Sequence, residues 1–182
     1  MRILHYYNSE DQMVSQHVAM LQEGMGRDTE NHLSSNADDA RTLLQGSHYD
    51  ILHLHGCWRN SSRNIVNIAL RKGCRLVVTP HGQLEPWVQE KDYWKDKLPK
   101  RVLYQQRIIQ QAYAIIIQGS MEQECMEHLA WNKRLVTIRN SVITSTISKD
   151  EMARQTFTLY RKFMDTSTLE LLSPEMHQTL KT

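Results

Sequence analysis

The chain has 182 residues, 40% apolar and 23% charged, the composition of one folded domain and not of a disordered segment. Lysine and arginine number 22 against 20 aspartate and glutamate, and the resulting net charge of +2 leaves no bulk footprint for nucleic acid. No stretch approaches the roughly 18 consecutive apolar residues of a membrane span, and Met1–Tyr7 runs straight into polar Asn8-Ser9-Glu10-Asp11, unlike a secretion signal, so the cytoplasm is the expected address.

Taken in chain order, Arg2–Tyr7 reads as a first strand. Asp11 to Gly26 then sets Val14, Val18, Leu21 and Met25 on one helical face, with Gly24 and Gly26 as the stop. Thr29–Ser34 is a weaker strand and Ala37–Gln45 a short helix ended by Gly46. Asp50–His55 is a clear strand closed by Gly56. A helix follows, carrying Ile65, Ile68 and Ala69, for which Ser61 or Ser62 is the expected cap and Gly73 the stop. Arg75–Thr79 is the next strand and ends in Pro80-His81-Gly82. Tyr113–Gln118 is another, followed by Gly119 and by a helix capped by Ser120 with Met121, Cys125 and Leu129 on its stripe. Arg134–Arg139 is a sixth strand.

Strands that alternate with helices are joined by crossovers and must run parallel. The expected fold is therefore a doubly wound, Rossmann-like α/β sheet of about six strands, with 3-2-1-4-5-6 as the expected strand order. Ligands in such sheets sit beyond the carboxyl ends of the strands. Two regions break the rhythm. Gln83 to Lys97, with Pro86, Trp87, Tyr93 and Trp94, is a long strand-to-helix connection of the kind that usually serves function. After Asn140, Ala153, Phe157, Tyr160 and Met164 form one helical stripe and Leu169, Leu172, Met176 and Leu180 a second, predicted to pack back on the sheet. The expected division is residues 1–145 as the sheet domain and 146–182 as its helical extension.

Several chemistries are excluded or outweighed. Neither GxGxxG nor GxxxxGK[ST] occurs, and the first strand-to-helix loop, Asn8–Gln12, has no glycine, which disfavours a dinucleotide or P-loop site. Cys57, Cys74 and Cys125 form no CxxC pair or disulfide ladder and read as buried reduced thiols. His53 and His55 share one face of a strand, and with His81 they could serve a metal as in a hydrolase. The strand is otherwise apolar and no acidic residue adjoins the pair, so no metal site is assigned. His81, between Pro80 and Gly82 at a strand's carboxyl end, can donate a hydrogen bond to a hydroxyl or phosphate or act as an acid or base. Asp92 to Arg107 places Lys95, Lys97, Lys100, Arg101 and Arg107 against Asp92 and Asp96, interleaved with Trp94, Leu98, Val102, Leu103 and Tyr104. Such a stretch suits anionic headgroups or a phosphorylated substrate, and equally a solvated basic face over an apolar stripe.

Three segments carry a resemblance. Asp50-Ile51-Leu52-His53-Leu54-His55-Gly56-Cys57-Trp58 resembles the D-x-x-H-x-H-G-x-W strand and loop of bacterial glycosyltransferases. Pro80-His81-Gly82-Gln83-Leu84-Glu85-Pro86-Trp87 resembles their PHG-x-L-[ED]-PW loop, and Ile138-Arg139-Asn140-Ser141-Val142 is similar to the I-P-N-G-V turn between domains. In this order and spacing they resemble the N-terminal, acceptor-side domain of a family 4 glycosyltransferase of the two-domain GT-B fold, over about residues 1–145. The first loop departs from the family's glycine-rich form, and Arg139 and Ser141 stand where the turn has proline and glycine.

The resemblance implies sugar transfer from a nucleotide sugar, with retention of configuration, to a saccharide or lipid-linked acceptor in surface-polysaccharide or lipopolysaccharide synthesis. It implies substrate-binding positions at His81 and Gly82, and further cleft-lining positions at His55, Gly56, Glu85 and Trp87. It requires no metal and no other cofactor, and assigns no catalytic residue here. Nothing after Val142 resembles the family's nucleotide-sugar-binding second domain, so the chain is expected either to act with a separate donor-binding partner chain or to be a shortened descendant. Peripheral contact with the inner membrane through Lys95–Arg107 is a further expectation. The alternative is a non-catalytic adaptor that keeps the fold and binds another protein through Leu169–Leu180 or the basic stretch.

Overall fold

The computed structural model describes residues 1–26, 29–56, 59–84 and 104–165. Six strands, β1 (Arg2–Tyr6), β2 (Glu30–Ser34), β3 (Ile51–His55), β4 (Arg75–Thr79), β5 (Ala114–Ile117) and β6 (Leu135–Thr137), form one all-parallel sheet. Among the described residues they are joined by α1 (Gln12–Gly24), α2 (Ala37–Gly46), α3 (Asn60–Arg71), α4 (Gln106–Gln111) and α5 (Ser120–Leu129), and followed by α6 (Lys149–Met164). No described helix is long and apolar enough to cross a membrane.

The sheet order is β2-β1-β3-β4-β5-β6, which corrects the expected 3-2-1-4-5-6. The reason lies in strand polarity. An interior strand of a parallel sheet is covered on both faces and must be apolar throughout. β3, Ile-Leu-His-Leu-His, is buried along its whole length, whereas β2 carries Glu30, Asn31 and His32 and keeps them partly in solvent. β2 therefore takes the edge, and β3 lies beside β1.

That order fixes the layers. Parallel crossovers are right-handed, so connections running one way along the sheet lie on one face and those running back lie on the other. Only β1–α1–β2 runs toward the β2 edge. Accordingly Leu4, Leu52, Leu54, Leu76, Val78, Ile115 and Ile117 pack with residues of α2, α3, α4 and α5. The alternate residues Ile3, Ile51, Val77, Ala114, Ile116 and Val136 face α1 and α6. One crossover helix cannot cover six strands, and α6 fills the remainder with Met152, Ala153, Leu159, Tyr160 and Phe163.

Local signals set most helix ends. Asp11, Asn36 and Ser148 cap α1, α2 and α6 through side-chain oxygens. The expected serine caps of α3 and α5 are absent: Arg59 and Gly119 hold those positions, without side-chain cap bonds, and the Ser61 hydroxyl instead meets the Tyr6 hydroxyl at 2.8 Å. Gly26, at φ +62°, turns the chain after α1, while Gly24 is where α6 comes closest. Cys74 and Cys125 are buried. Cys57, most of the Gln83–Lys97 connection and the Leu169–Leu180 stripe lie outside the described residues, as does Lys95 to Leu103 of the basic stretch. At its far end Tyr104 and Ile108 are buried and Arg107 is exposed.

Candidate functional site

β1 and β3 are adjacent strands whose connections leave in opposite directions, and the loops beyond such a pair part to leave a crevice. A pocket of about 120 Å³ lies there, lined by Tyr7, Asn8, His55, Gly56, Arg59 and Gln83 among others. Arg59 shapes it by donating to the Tyr7 carbonyl at 3.2 Å and the Ser35 carbonyl at 3.1 Å, so the loops after β1 and β2 are tied to the start of α3. Gly56, at φ +82°, donates to the Thr79 carbonyl at 2.8 Å, and a Cβ there would stand 3.0 Å from the Gln83 side-chain amide.

Behind this crevice, under α1, five buried histidines gather. His5 is in register with His53 across β1 and β3, and the two-residue period of β3 adds His55 on the same face. His81 follows β4, and His17 comes down from α1. Nδ1 of His5 lies 3.0 Å from Nε2 of His55, and Nδ1 of His55 lies 3.1 Å from Nε2 of His81. Amides close the network: Asn31 Oδ1 is 3.2 Å from His5 Nε2, Gln118 Oε1 is 3.1 Å from His81 Nδ1, and Asn140 Oδ1 is 3.1 Å from His17 Nδ1. The His53 ring packs on His55 with centroids 3.9 Å apart, and its nitrogens meet the Thr79 and Tyr160 hydroxyls instead of another histidine.

Burial removes water from these rings and disfavours the imidazolium. It lowers His5 and His17 to a pKa of about 4 and holds His53, His55 and His81 well below the usual histidine range, each also repelled by neighbouring rings. The network is neutral at pH 7. His81 adopts φ +55°, a left-handed conformation unusual outside glycine, and Gly82 follows at φ +73°. Buried Glu122 holds that turn by accepting the Gly82 N–H at 2.7 Å and, through its other oxygen, the Gln118 N–H at 3.0 Å.

Of the six expected binding residues, His55 and Gly56 line the crevice, His81 is buried against His55, Gly82 follows it half-buried, and Glu85 and Trp87 lie outside the described residues. The suspected His53–His55–His81 trio is not what converges. Groups of ligating atoms within 4.8 Å of one another are His17, His55 and His81, and His5, His53 and His55. Sequence reading passed over His5, His17, Gln118, Glu122 and Arg59, and quoted Asn140 only as part of the Ile138–Val142 turn. A signal existed for His17, which completes the 14-17-18-21 buried stripe of α1.

Residues 8–141, about three quarters of the chain, match the family model described as a glycosyl transferase 4-like domain. No curated protein matches the chain.

Proposed function

The chain belongs to the glycosyl transferase 4-like domain family, and on that premise we propose that its crevice is the acceptor wall of a sugar-transfer site, the N-terminal half of a GT-B-type cleft. The observation that carries the reading is the pocket at the β1/β3 divergence, where Asn8, Gln83, the Tyr7 loop and Arg59 surround a small space of mixed polar and apolar lining. Side-chain amides offer both donors and acceptors, which is what sugar hydroxyls require.

Departure of a nucleoside diphosphate needs positive charge or aligned N–H groups at the phosphates. Arg59 is the cationic side chain among the described lining residues, and one of its guanidinium nitrogens, Nη1, donates to two backbone carbonyls. On this reading the phosphate-neutralising wall belongs to a second domain or to a partner chain. The acceptor is then a saccharide or a lipid-linked one, as in the building of a surface polysaccharide, with Lys95–Arg107 as the stretch that meets the membrane.

NMR titration of the chain with short oligosaccharides tests the proposal. The expected result is saturable shifts confined to the amides of Asn8, Gly56, Arg59 and Gln83, weakened at least fivefold by Asn8→Ala, with no response to nucleoside diphosphates. Shifts from nucleoside diphosphates in the same crevice, or no saccharide response from a folded chain, would overturn it.

A further inference from the structure

The histidine network, as its amides are set, carries a mismatch between His55 and His81. Asn140 accepts the Val142 N–H through Oδ1 at 3.0 Å, so its Nδ2 is the end that donates to Gln118 Oε1 at 3.3 Å. Asn140 Oδ1 and Gln118 Oε1 are thereby both acceptors. His17 must donate to the first from Nδ1 and His81 to the second from Nδ1, and each neutral ring keeps its lone pair on Nε2.

At the opposite end the Thr29 hydroxyl can donate as well as accept, so the Asn31 amide has two settings, and the one in the structure gives the complementary pattern. Asn31 donates from Nδ2 to the Thr29 hydroxyl at 2.6 Å and turns Oδ1 toward His5, which donates from Nε2. Nδ1 of His5 then accepts from Nε2 of His55, leaving the His55 lone pair on Nδ1. That lone pair points at the lone pair on His81 Nε2, 3.1 Å away. Four contacts between two amide oxygens need four hydrogens, and three neutral imidazoles supply three. Turning the Asn31 amide would repair the contact, and so would a cation between His55 and His81, where burial opposes a proton.

We propose that His17 Nε2, His55 Nδ1 and His81 Nε2 bind a divalent transition-metal ion, zinc before others. One ring nitrogen from each of the three lies within 4.8 Å of the others. Tetrahedral zinc–imidazole bonds of about 2.0–2.1 Å put ligand nitrogens roughly 3.3–3.4 Å apart. The His55–His81 pair is already near that separation, and His17 closes the remainder. Three imidazoles without a carboxylate select zinc, copper or nickel over magnesium or calcium.

Each ligand's far nitrogen donates to a fixed acceptor, Asn140, Gln118 or His5, which is the outer shell such ligands need. His55 borders the crevice and gives the ion a way in. The rival trio would have to strip His53 of the Thr79 or the Tyr160 hydroxyl. Sugar transfer plays no part in this inference.

The test is calorimetric titration of the chelator-stripped full chain with Zn²⁺, and Co²⁺ absorption as a report on coordination. One equivalent is expected to bind more tightly than surface His32, His48 and His128 can hold it, with intense visible bands of four-coordinate cobalt. His17→Gln and His81→Gln should each weaken binding tenfold or more. Asn31→Asp, whose carboxylate can only accept, should lock His5 and His55 in the ligating register and tighten binding severalfold. No stoichiometric Zn²⁺ binding by the folded wild-type chain would overturn the proposal. So would undiminished binding in folded His17→Gln and His81→Gln, or loss of binding in folded His53→Gln alone.

Discussion

Glycines 56 and 73 have nearly the same backbone, φ +82° and φ +81°, in different surroundings. A Cβ on Gly73 meets nothing within 4 Å, while one on Gly56 presses on the Gln83 amide that lines the crevice. Alanine at either site pays the left-handed penalty, about 1–2 kcal/mol by denaturant unfolding. Only Gly56→Ala should also reduce saccharide affinity, because it moves Gln83. Asn132 makes a different kind of contribution: its buried Nδ2 donates to the Ile109 and Ala112 carbonyls at 2.7 and 2.9 Å, and its Oδ1 accepts the Arg134 N–H at 2.8 Å. Asn132→Ala removes three bonds that tie the end of α4 to the start of β6, and chemical denaturation should register a loss of about 2–3 kcal/mol.

At the level of elements, the α1–α6 contact is the seam that completes the second layer, and it is narrow at one point. A Cβ on Gly24 would stand 2.4 Å from Cβ of Ala153, inside contact distance, and neither atom can rotate away. Gly24→Ala must push the helices apart, and the loss of about 1–3 kcal/mol outweighs the better helix propensity of alanine. Gly46, at the end of α2, faces open space, so Gly46→Ala should instead raise the melting temperature slightly, by up to about 1 kcal/mol of stability. Equal effects from the two substitutions would contradict this account of the seam. Gly24 and Gly26 look alike in the sequence as helix stops, and only packing separates the close contact from the turn.

For the molecule as a whole, all six strands and the doubly wound class were legible, because runs such as Ile51–His55 and Arg75–Thr79 sit between helix-period segments. Strand order was not, although the polarity of Glu30-Asn31-His32 already argued for an edge. At the site, the two-residue period of His53 and His55 was legible, as was the position of His81 after a strand. The convergence of His5 and His17 was not, since it depends on β1 pairing with β3 and on α1 crossing above them. The layers also carry a prediction. A chain truncated before Ser148 leaves Ile116, Val136 and Ile138 without α6, and it should be recovered as aggregate where the full chain is soluble.

The topology that leaves one layer to α1 and α6 has a consequence for biosynthesis. Gly24 and Ala153 meet only after nearly the entire sheet has left the ribosome, so the nascent polypeptide shows a bare apolar wall for a few seconds at roughly 5–20 residues per second. During that interval it is a natural client for chaperones that bind emerging chains, and codon changes that slow elongation between β6 and α6 would prolong the exposure.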